Sequence, residues 1–199
     1  MDEGRIVTSG TFRRVGIILQ AGEPALDVAA GGGASAAVSA SSMERLREQL
    51  VIDYAKVLDG YDFGVRYLLA EPEGELPIRV ARIKGWRWAS MEARRGNARG
   101  GYLGVLARAF VEVESSLILR ASSPELSPSS LNELLAALGG ADVGVGVDAR
   151  GRWWGIGVRL SSVGVVERVD WSSAGWREAL RRQCAMECAH LAEVCALES

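Results

Sequence analysis

The densest cluster of basic side chains lies between residues 79 and 99 and is interleaved with two tryptophans, Trp86 and Trp88. Its basic members are Arg79, Arg82, Lys84, Arg87, Arg94, Arg95 and Arg99, and only Glu92 opposes them. Guanidinium groups bind phosphate through paired hydrogen bonds, and an indole can stack on a base. The cluster could therefore bind a nucleotide diphosphate, with Arg94 and Arg95 as substrate-binding candidates. Alternatively, the cluster could bind single-stranded nucleic acid. It could also have no ligand and simply be a solvated strand edge whose charges prevent pairing with another strand.

Other residue types narrow the possible chemistry. A single histidine, His190, argues against His-centred triads and multi-histidine metal sites. The two lysines, Lys56 and Lys84, are not part of a G-x-x-x-x-G-K-[ST] motif, which excludes a Walker P-loop. The glycine run over residues 31–33 could cradle a phosphate with backbone N–H groups, or form a flexible loop.

Three cysteines, Cys184, Cys188 and Cys195, lie near the end of a chain that shows no export signal. Their odd number and this context argue against a disulfide framework. Their spacing of i, i+4 and i+11 places them near one stripe of a predicted final helix. Small buried thiols are favoured over a metal site, which would need a fourth ligand and closer convergence.

The 199 residues are 48% hydrophobic and 24% charged, with a net charge of -2. This composition predicts a globular domain over residues 13–199 after a tail over residues 1–12, and excludes disorder, collagen and a polybasic tail. No apolar stretch reaches the roughly 18 to 20 residues of a membrane span, and the first twenty residues do not resemble a signal peptide, so we expect a cytoplasmic protein. The scarcity of side-chain amides fits a heat-adapted source, although a GC-rich genome would favour arginine and alanine equally.

Short apolar runs alternate with helical patterns, which is typical of strand-helix-strand units. Strands are predicted over 15–19, 63–70, 78–83, 116–120, 141–148 and 153–160, with a short edge strand over 165–169. Helices are predicted from Ser41, where Glu44 completes a capping box, over 100–112, from Ser127 with Pro128 in the first turn, and from Ser172 or Ser173 through Leu197. The pattern predicts a three-layer α/β/α sandwich with a mostly parallel sheet.

Four stretches over roughly residues 100–182 resemble a known family, in order and in spacing. They are Ile118–Pro128, Asp142–Val147, Gly151–Gly157 and Val169–Ser173. They are similar to the strand ending in Gly-Ser-Asp-Cys-Pro-Asp-Leu-Thr, the next strand, the Asp-Gly-Gly-Tyr-Tyr-Leu-Ile-Gly segment and the Asp-Trp-Ser-Thr segment of a small glycosyltransferase-A-like family. Gly101-Tyr102-Leu103-Gly104 also resembles the Gly-Asp-Leu-Gly helix start of that family. Its members are bacterial and archaeal glycosyl- or nucleotidyltransferases of the nucleotide-diphospho-sugar transferase superfamily.

The resemblance implies a cleft at the carboxyl ends of the strands, a nucleotide sugar or NTP as ligand, and Mg or Mn as the metal. The charged positions differ from the family pattern. The family's metal-associated aspartate falls on Ser122, the glycine before it falls on Arg120, and the aspartate of the Asp-Gly-Gly turn falls on Arg150. The chemistry is therefore expected to be altered on a retained scaffold.

Carried over to this sequence, the resemblance assigns roles to particular residues. In place of the replaced aspartate, Glu125, Asp148 or Asp170 would hold the metal, and Asp148 and Asp170 would be catalytic. The alternative for each is a helix cap or a solvated surface acid. Arg120 and Ser122 would approach the phosphates, and Gly151 is a further substrate-binding candidate. Trp153 and Trp154 fall on the family's tyrosine pair, so one would lie in the core and the other would shape the acceptor pocket, while Trp171 and Trp176 would pack.

Two other functions stay open at this point. One is a non-catalytic relative that acts as a binding or assembly subunit, in keeping with a homo-oligomer. The other is a nucleic-acid-binding module that uses the basic cluster over residues 79–99, although nucleic acid is the less favoured partner.

Overall fold

Seven strands form one mixed sheet with the order β3-β2-β1-β4-β6-β5-β7. The strands are β1 Val15–Gln20, β2 Val65–Ala70, β3 Trp86–Ser90, β4 Ser115–Arg120, β5 Val143–Val147, β6 Trp153–Arg159 and β7 Leu191–Cys195. All neighbours pair in parallel except β6, which runs against both β4 and β5. This computed structural model describes residues 14–21, 40–70, 79–80, 82–83, 85–90, 105–121, 123 and 126–195.

Helices cover both faces of the sheet, as the predicted three-layer architecture requires. The helices are α1 Ala40–Asp59, α2 Pro128–Gly140, α3 Val163–Glu167 and α4 Trp176–Met186, and residues 105–109 are also helical. On one face, Ala55 of α1 and Leu134 of α2 join a core cluster with Leu119 of β4. On the other, Leu106, Val166 of α3 and Leu180 of α4 pack in a second cluster. The prediction of an α/β sandwich with a mostly parallel sheet is confirmed.

Helix α2 forms as its sequence predicts. The Ser127 hydroxyl accepts a hydrogen bond from the Ser130 N–H at 3.2 Å, and Pro128 occupies the first turn, where its missing donor costs nothing. One face of the helix is buried, with Leu131, Leu134, Leu135 and Leu138 against the sheet.

The third strand lies further along the chain than predicted. Residues 79–80 are helical, and the Ile83 N–H donates to the Val80 carbonyl in a turn, so no strand runs over the described residues of 78–83. The strand is β3, where Trp86 and Ala89 are buried against the rest of the sheet. Four of the six residues over 78–83 are apolar, so apolar content alone does not show that the strand forms around Trp86 instead.

The predictions for the last third of the chain are partly wrong. Residues 165–169 do not form an edge strand, because Val165 and Val166 are buried on the short helix α3. The final helix begins after Gly175 rather than at Ser172 or Ser173, and it ends at Met186. The chain then forms β7, which pairs in parallel with β5.

The early end of α4 separates the three cysteines, so the predicted stripe of thiols is wrong. Cys184 is buried on α4, whereas Cys188 and Cys195 are exposed beyond it, and all three are free thiols. Burial raises the pKa of the Cys184 thiol, and the nearby Asp142 carboxylate adds to the shift.

Some predicted features lie outside the described part of the chain. These are the tail over 1–12, the glycine run over 31–33, the first residues of the helix predicted over 100–112, and the side chains of Ser41 and Glu44. Within the described residues, none of the helices has the length and apolar character that crossing a membrane demands.

Candidate functional site

The carboxyl edge of the sheet brings the ends of β1, β2, β4 and β5 together with the start of β6. Because β6 is antiparallel to its neighbours, its first residue, Trp153, lies beside the last residue of β5, Val147. Arg120 ends β4 and is the register partner of Gln20 at the end of β1. Ligands of open α/β sheets bind outside the carboxyl ends of the strands, so this edge is the candidate site.

The guanidinium of Arg120 lies over the indole of Trp153. Its Cζ atom is 4.8 Å from the ring centroid, and Nη1 donates to the Trp153 carbonyl oxygen at 3.4 Å. An indole face attracts a cation through its quadrupole, and the attraction increases where water is excluded. Trp153 is only 3% exposed, so the packing around it holds its ring in a fixed position under the guanidinium. The result is an oriented positive charge at the end of β4.

Three tryptophans form a continuous cluster beneath this charge. The Trp153 Nε1 donates to the Trp171 carbonyl oxygen at 3.3 Å, and the two rings meet edge to face with centroids 5.9 Å apart. Trp171 in turn contacts Trp176, with centroids 5.5 Å apart, and its Nε1 donates to the Val166 carbonyl oxygen at 3.0 Å. The cluster joins α3 and α4 to the carboxyl edge and fixes the ring under Arg120.

The two neighbouring tryptophans of β6 belong to opposite faces of the sheet, as the strand period predicts. Both are buried: Trp153 lies under Arg120, and Trp154 is fully enclosed on the α2 side. The structure therefore differs from the expectation that one of the pair lines an open pocket. The indole of Trp171, which the sequence predicts as a packing residue, is half-buried at this edge.

Asp148 folds the turn that joins β5 to β6. Its Oδ1 accepts hydrogen bonds from the N–H groups of Arg150 at 2.9 Å and Arg152 at 2.7 Å, and its Oδ2 accepts one from Arg152 Nε at 2.8 Å. The carboxylate is 2% exposed. Gly151 adopts a φ of 76° in the same turn, and its N–H donates to the Asp148 carbonyl oxygen. This arrangement places Arg150 and Arg152 at the carboxyl edge.

Asp170 is an exposed carboxylate next to the aromatic cluster. Its Oδ1 accepts hydrogen bonds from the Ser172 N–H at 3.2 Å and from the Ser172 hydroxyl at 2.7 Å. The pattern is an Asx turn, which holds the carboxylate in a defined position beside Trp171.

The described carboxylates do not fit the predicted Mg or Mn site. Divalent cations of this kind take several oxygen ligands that converge on one point. Asp148 instead directs both oxygens at N–H groups inside a turn. No group of three or more His, Cys, Asp or Glu side chains within the described ranges could hold a metal ion. Ser122, Glu125, Arg94 and Arg95 lie outside the described residues, so their roles stay predictions.

Two arginines of the basic cluster are ion-paired with carboxylates that are distant in sequence. Arg79 Nη1 is 3.2 Å from Glu48 Oε2 on α1. Arg87 pairs with Glu112 and lies 5.9 Å from the centroid of the Tyr67 ring. The sequence shows only Glu92 near the cluster, because these partners depend on the packing of other elements beside it.

Comparison with solved structures shows that the fold is that of nucleotide-diphospho-sugar transferases. A candidate nucleotide-diphospho-sugar transferase from Desulfovibrio desulfuricans G20 matches with a TM-score of 0.71 and 14% identity, over 93% of this chain and 80% of that chain. The 4-diphosphocytidyl-2C-methyl-D-erythritol synthase from Anaerococcus prevotii DSM 20548 matches with a TM-score of 0.60 and 9% identity, over 92% and 89% of the two chains. No protein-family profile and no curated protein matches the sequence itself.

Two further matches were solved with ligands. Rv0371c from Mycobacterium tuberculosis H37Rv, in complex with manganese, has a TM-score of 0.57 and 12% identity, over 95% of each chain. A CMP:2-keto-3-deoxy-manno-octonic acid synthetase in complex with CTP has a TM-score of 0.51 and 13% identity, over 92% of this chain and 89% of that chain. The structural relatives therefore include nucleotidyltransferases, one of them bound to a nucleotide.

Proposed function

We propose that this protein binds a nucleotide sugar or a nucleoside triphosphate at the carboxyl edge of its sheet and transfers a glycosyl or nucleotidyl group. The observation that supports this best is the guanidinium of Arg120, held on Trp153 at the end of β4. Guanidinium groups recognise phosphate through charge-assisted hydrogen bonds, often in pairs. The CTP bound to a protein of the same fold supports the choice of a nucleotide.

The groups at this edge suit transfer of a phosphate-linked group. As the bond to the departing phosphate breaks, negative charge grows on its oxygens, and an oriented cation stabilises that charge without reorganising. Arg120 supplies the cation. Asp170 is the candidate general base for the acceptor hydroxyl, because its carboxylate is exposed and fixed by Ser172. The half-buried ring of Trp171 beside it offers an apolar face to a sugar.

Binding without transfer is the second candidate, and the geometry of Asp148 favours it. Its carboxylate is committed to the β5–β6 turn through three hydrogen bonds, so it supports structure rather than proton transfer. Such a protein would retain nucleotide affinity and act as a binding or assembly subunit.

Thermal unfolding in the presence of CTP, UTP, GTP, UDP-glucose and GDP-mannose tests the binding step. A ligand that binds only the native state raises the midpoint in proportion to the logarithm of its concentration. We expect at least one of these nucleotides to do so. If none does at millimolar concentration, the proposed function is wrong.

Turnover assays with the stabilising nucleotide separate the two candidates. Release of pyrophosphate or of a nucleoside diphosphate in the presence of an acceptor would establish transfer. Asp170→Asn should then lower kcat about a hundredfold or more, the scale of a lost general base, and leave the thermal shift unchanged. Asp53→Asn, an exposed change on α1, is the matched control. Binding with no turnover for any acceptor would favour the non-catalytic subunit.

A nucleic-acid-binding role for the basic cluster receives less support, since Arg79 and Arg87 are already paired with Glu48 and Glu112. Retention of a single-stranded oligonucleotide at low salt tests it directly. Steep loss of retention with rising salt, abolished by changing Arg94 and Arg95 to Ala, would favour the nucleic-acid module over the transferase.

A further inference from the structure

We propose that the Arg120 guanidinium takes the place of a divalent cation, so that this protein binds the phosphate groups of its nucleotide without a metal. The inference rests on the proposed function and specifies how the phosphate charge is neutralised. It concerns the end of β4, where Arg120 and Trp153 are in contact.

The described acidic residues at the carboxyl edge are arranged for hydrogen bonding rather than for a metal. Both oxygens of Asp148 accept N–H bonds inside the β5–β6 turn, and the carboxylate is sealed from solvent. Asp170 directs Oδ1 at the N–H and hydroxyl of Ser172. A cation bound to Asp148 would have to displace these donors, which would leave partly buried N–H groups of the β5–β6 turn without a partner.

Arg120 carries the positive charge that a metal would otherwise bring. It is permanently charged, and its planar donors match the oxygens of a phosphate. Stacking on Trp153 and the bond to the Trp153 carbonyl oxygen limit its freedom before a ligand arrives. An oriented guanidinium loses less entropy on binding than a free one, which increases its affinity for phosphate.

The same guanidinium opposes a metal ion beside it. Two like charges a few ångströms apart repel, and the buried indole under Arg120 lowers the local dielectric constant and strengthens the repulsion. A divalent cation on the same phosphate oxygens would therefore have to overcome its repulsion from Arg120.

Trp153 acts as the positioning residue for this charge. It is locked by the bond from its Nε1 to the Trp171 carbonyl oxygen and by the edge contact with the Trp171 ring. Trp153→Phe keeps an apolar ring but loses that bond, so it should weaken phosphate binding less than loss of the guanidinium itself.

Isothermal titration of the full chain with CTP and with inorganic pyrophosphate tests the inference, in EDTA and in excess manganese. We expect affinities that agree within about threefold in the two conditions. Arg120→Gln should weaken the binding of both ligands about tenfold to hundredfold. The affinity of Arg120→Lys should lie between those of Arg120→Gln and the unchanged protein, because lysine keeps the charge but loses the paired donors. Arg108→Gln, a change of an exposed arginine before β4, is the matched control and should bind like the unchanged protein.

The possible failures are distinct. Binding that requires manganese, with Arg120→Gln unaffected, would overturn the inference and leave the proposed function standing. No binding of either ligand in any condition would overturn the proposed function, and this inference with it. Thermal unfolding of each variant without ligand shows whether it is folded, and Arg120→Lys keeps the test decisive if Arg120→Gln is not.

Discussion

The indole of Trp154 occupies the space that any side chain at Gly146 would need. A Cβ atom at Gly146 would lie 2.2 Å from Cε2 of Trp154 and 2.3 Å from Cζ2. The two residues meet because β6 carries a bulge: Gly146 pairs with Gly155 and Val147 pairs with Trp153, so Trp154 is an extra residue between them. The bulge turns the fully buried ring across β5, beneath α2.

Gly146→Ala should therefore lower the free energy of unfolding by about 3 kcal/mol or more, because the rigid, enclosed indole cannot move aside. Urea denaturation measures the loss. Gly139→Ala is the control, since nothing lies within 4 Å of a Cβ there and alanine favours the helix by roughly 0.5 to 1 kcal/mol. Equal effects of the two changes would contradict the close contact at Gly146.

The glycines of β5 and β6 show what the sequence reveals about the fold. Both strands are recognisable from alternation of Gly with Val or Ile. Gly144 and Gly155 admit Leu134 of α2, with Cβ distances of 3.2 and 2.8 Å to its methyl groups. The alternation predicts both strands and a sheet face that carries glycines instead of side chains. The bulge at Trp154 depends on how the strands pair, so the sequence does not predict it.

Asp148 should be important for stability rather than for metal binding. Asp148→Ala removes an ion pair to Arg152 and leaves the N–H groups of Arg150 and Arg152 without their acceptor. We expect a loss of about 2 to 4 kcal/mol in the free energy of unfolding. Asp53→Ala, which removes an exposed pair with Lys56, should cost about 0.5 kcal/mol or less. If urea denaturation shows only a small decrease in the free energy of unfolding for Asp148→Ala, the carboxylate is not needed for stability and a catalytic role is favoured.

The end of α4 lacks the usual sequence signal for a helix stop, so the pattern predicts helix where β7 forms. The chain leaves the helix through a Schellman motif: the Ala189 N–H donates to the Cys184 carbonyl oxygen at 2.9 Å, and the Cys188 N–H donates to the Ala185 carbonyl oxygen. Cys188 holds the left-handed position, with a φ of 53°, where glycine is the usual residue. No glycine, asparagine or proline marks this stop, so the sequence pattern predicts that the helix continues.

Cys188→Gly should raise the free energy of unfolding by about 1 kcal/mol, because glycine adopts the left-handed conformation without the Cβ penalty. Cys188→Ala keeps the Cβ atom and should leave stability nearly unchanged, which separates backbone strain from loss of the thiol. Thermal and urea unfolding measure both. Stabilisation by alanine as large as that by glycine would show that the thiol, and not φ, is responsible.

The candidate site was predictable only in part. Arg120 and Asp148 stand at strand ends that the sequence identifies, so their place at the carboxyl edge followed from the strand assignments. The stacking of Arg120 on Trp153 requires β4 and β6 to be neighbours, although α2 and β5 separate them in the chain. The hydrogen bonds that Asp148 accepts from Arg150 and Arg152 depend on the geometry of the β5–β6 turn, which a resemblance in sequence does not specify.

Glu193 joins β7 to α4 through two arginines, and the pH dependence of stability tests this contact. Its carboxylate accepts hydrogen bonds from Arg177 Nε at 2.8 Å and Arg181 Nε at 2.9 Å, both on α4. Burial alone would raise the pKa of Glu193, but the bonds from Arg177 and Arg181 outweigh it and lower the pKa below its usual 4.5. A lowered pKa in the native state stabilises the fold at pH values above 4.5, and the benefit is lost as the pH falls through the native value.

Glu193→Gln should therefore lower the free energy of unfolding by about 1 kcal/mol at pH 7, and the gap between the two proteins should close as the pH falls below 4.5. Urea midpoints measured from pH 7 to pH 3 give the gap. The control is Glu114→Gln, whose carboxylate is 68% exposed beside Arg14, and its effect should be small throughout. A gap for Glu193→Gln that stays constant or widens in acid would mean that the pair of arginines does not hold β7 through this charge.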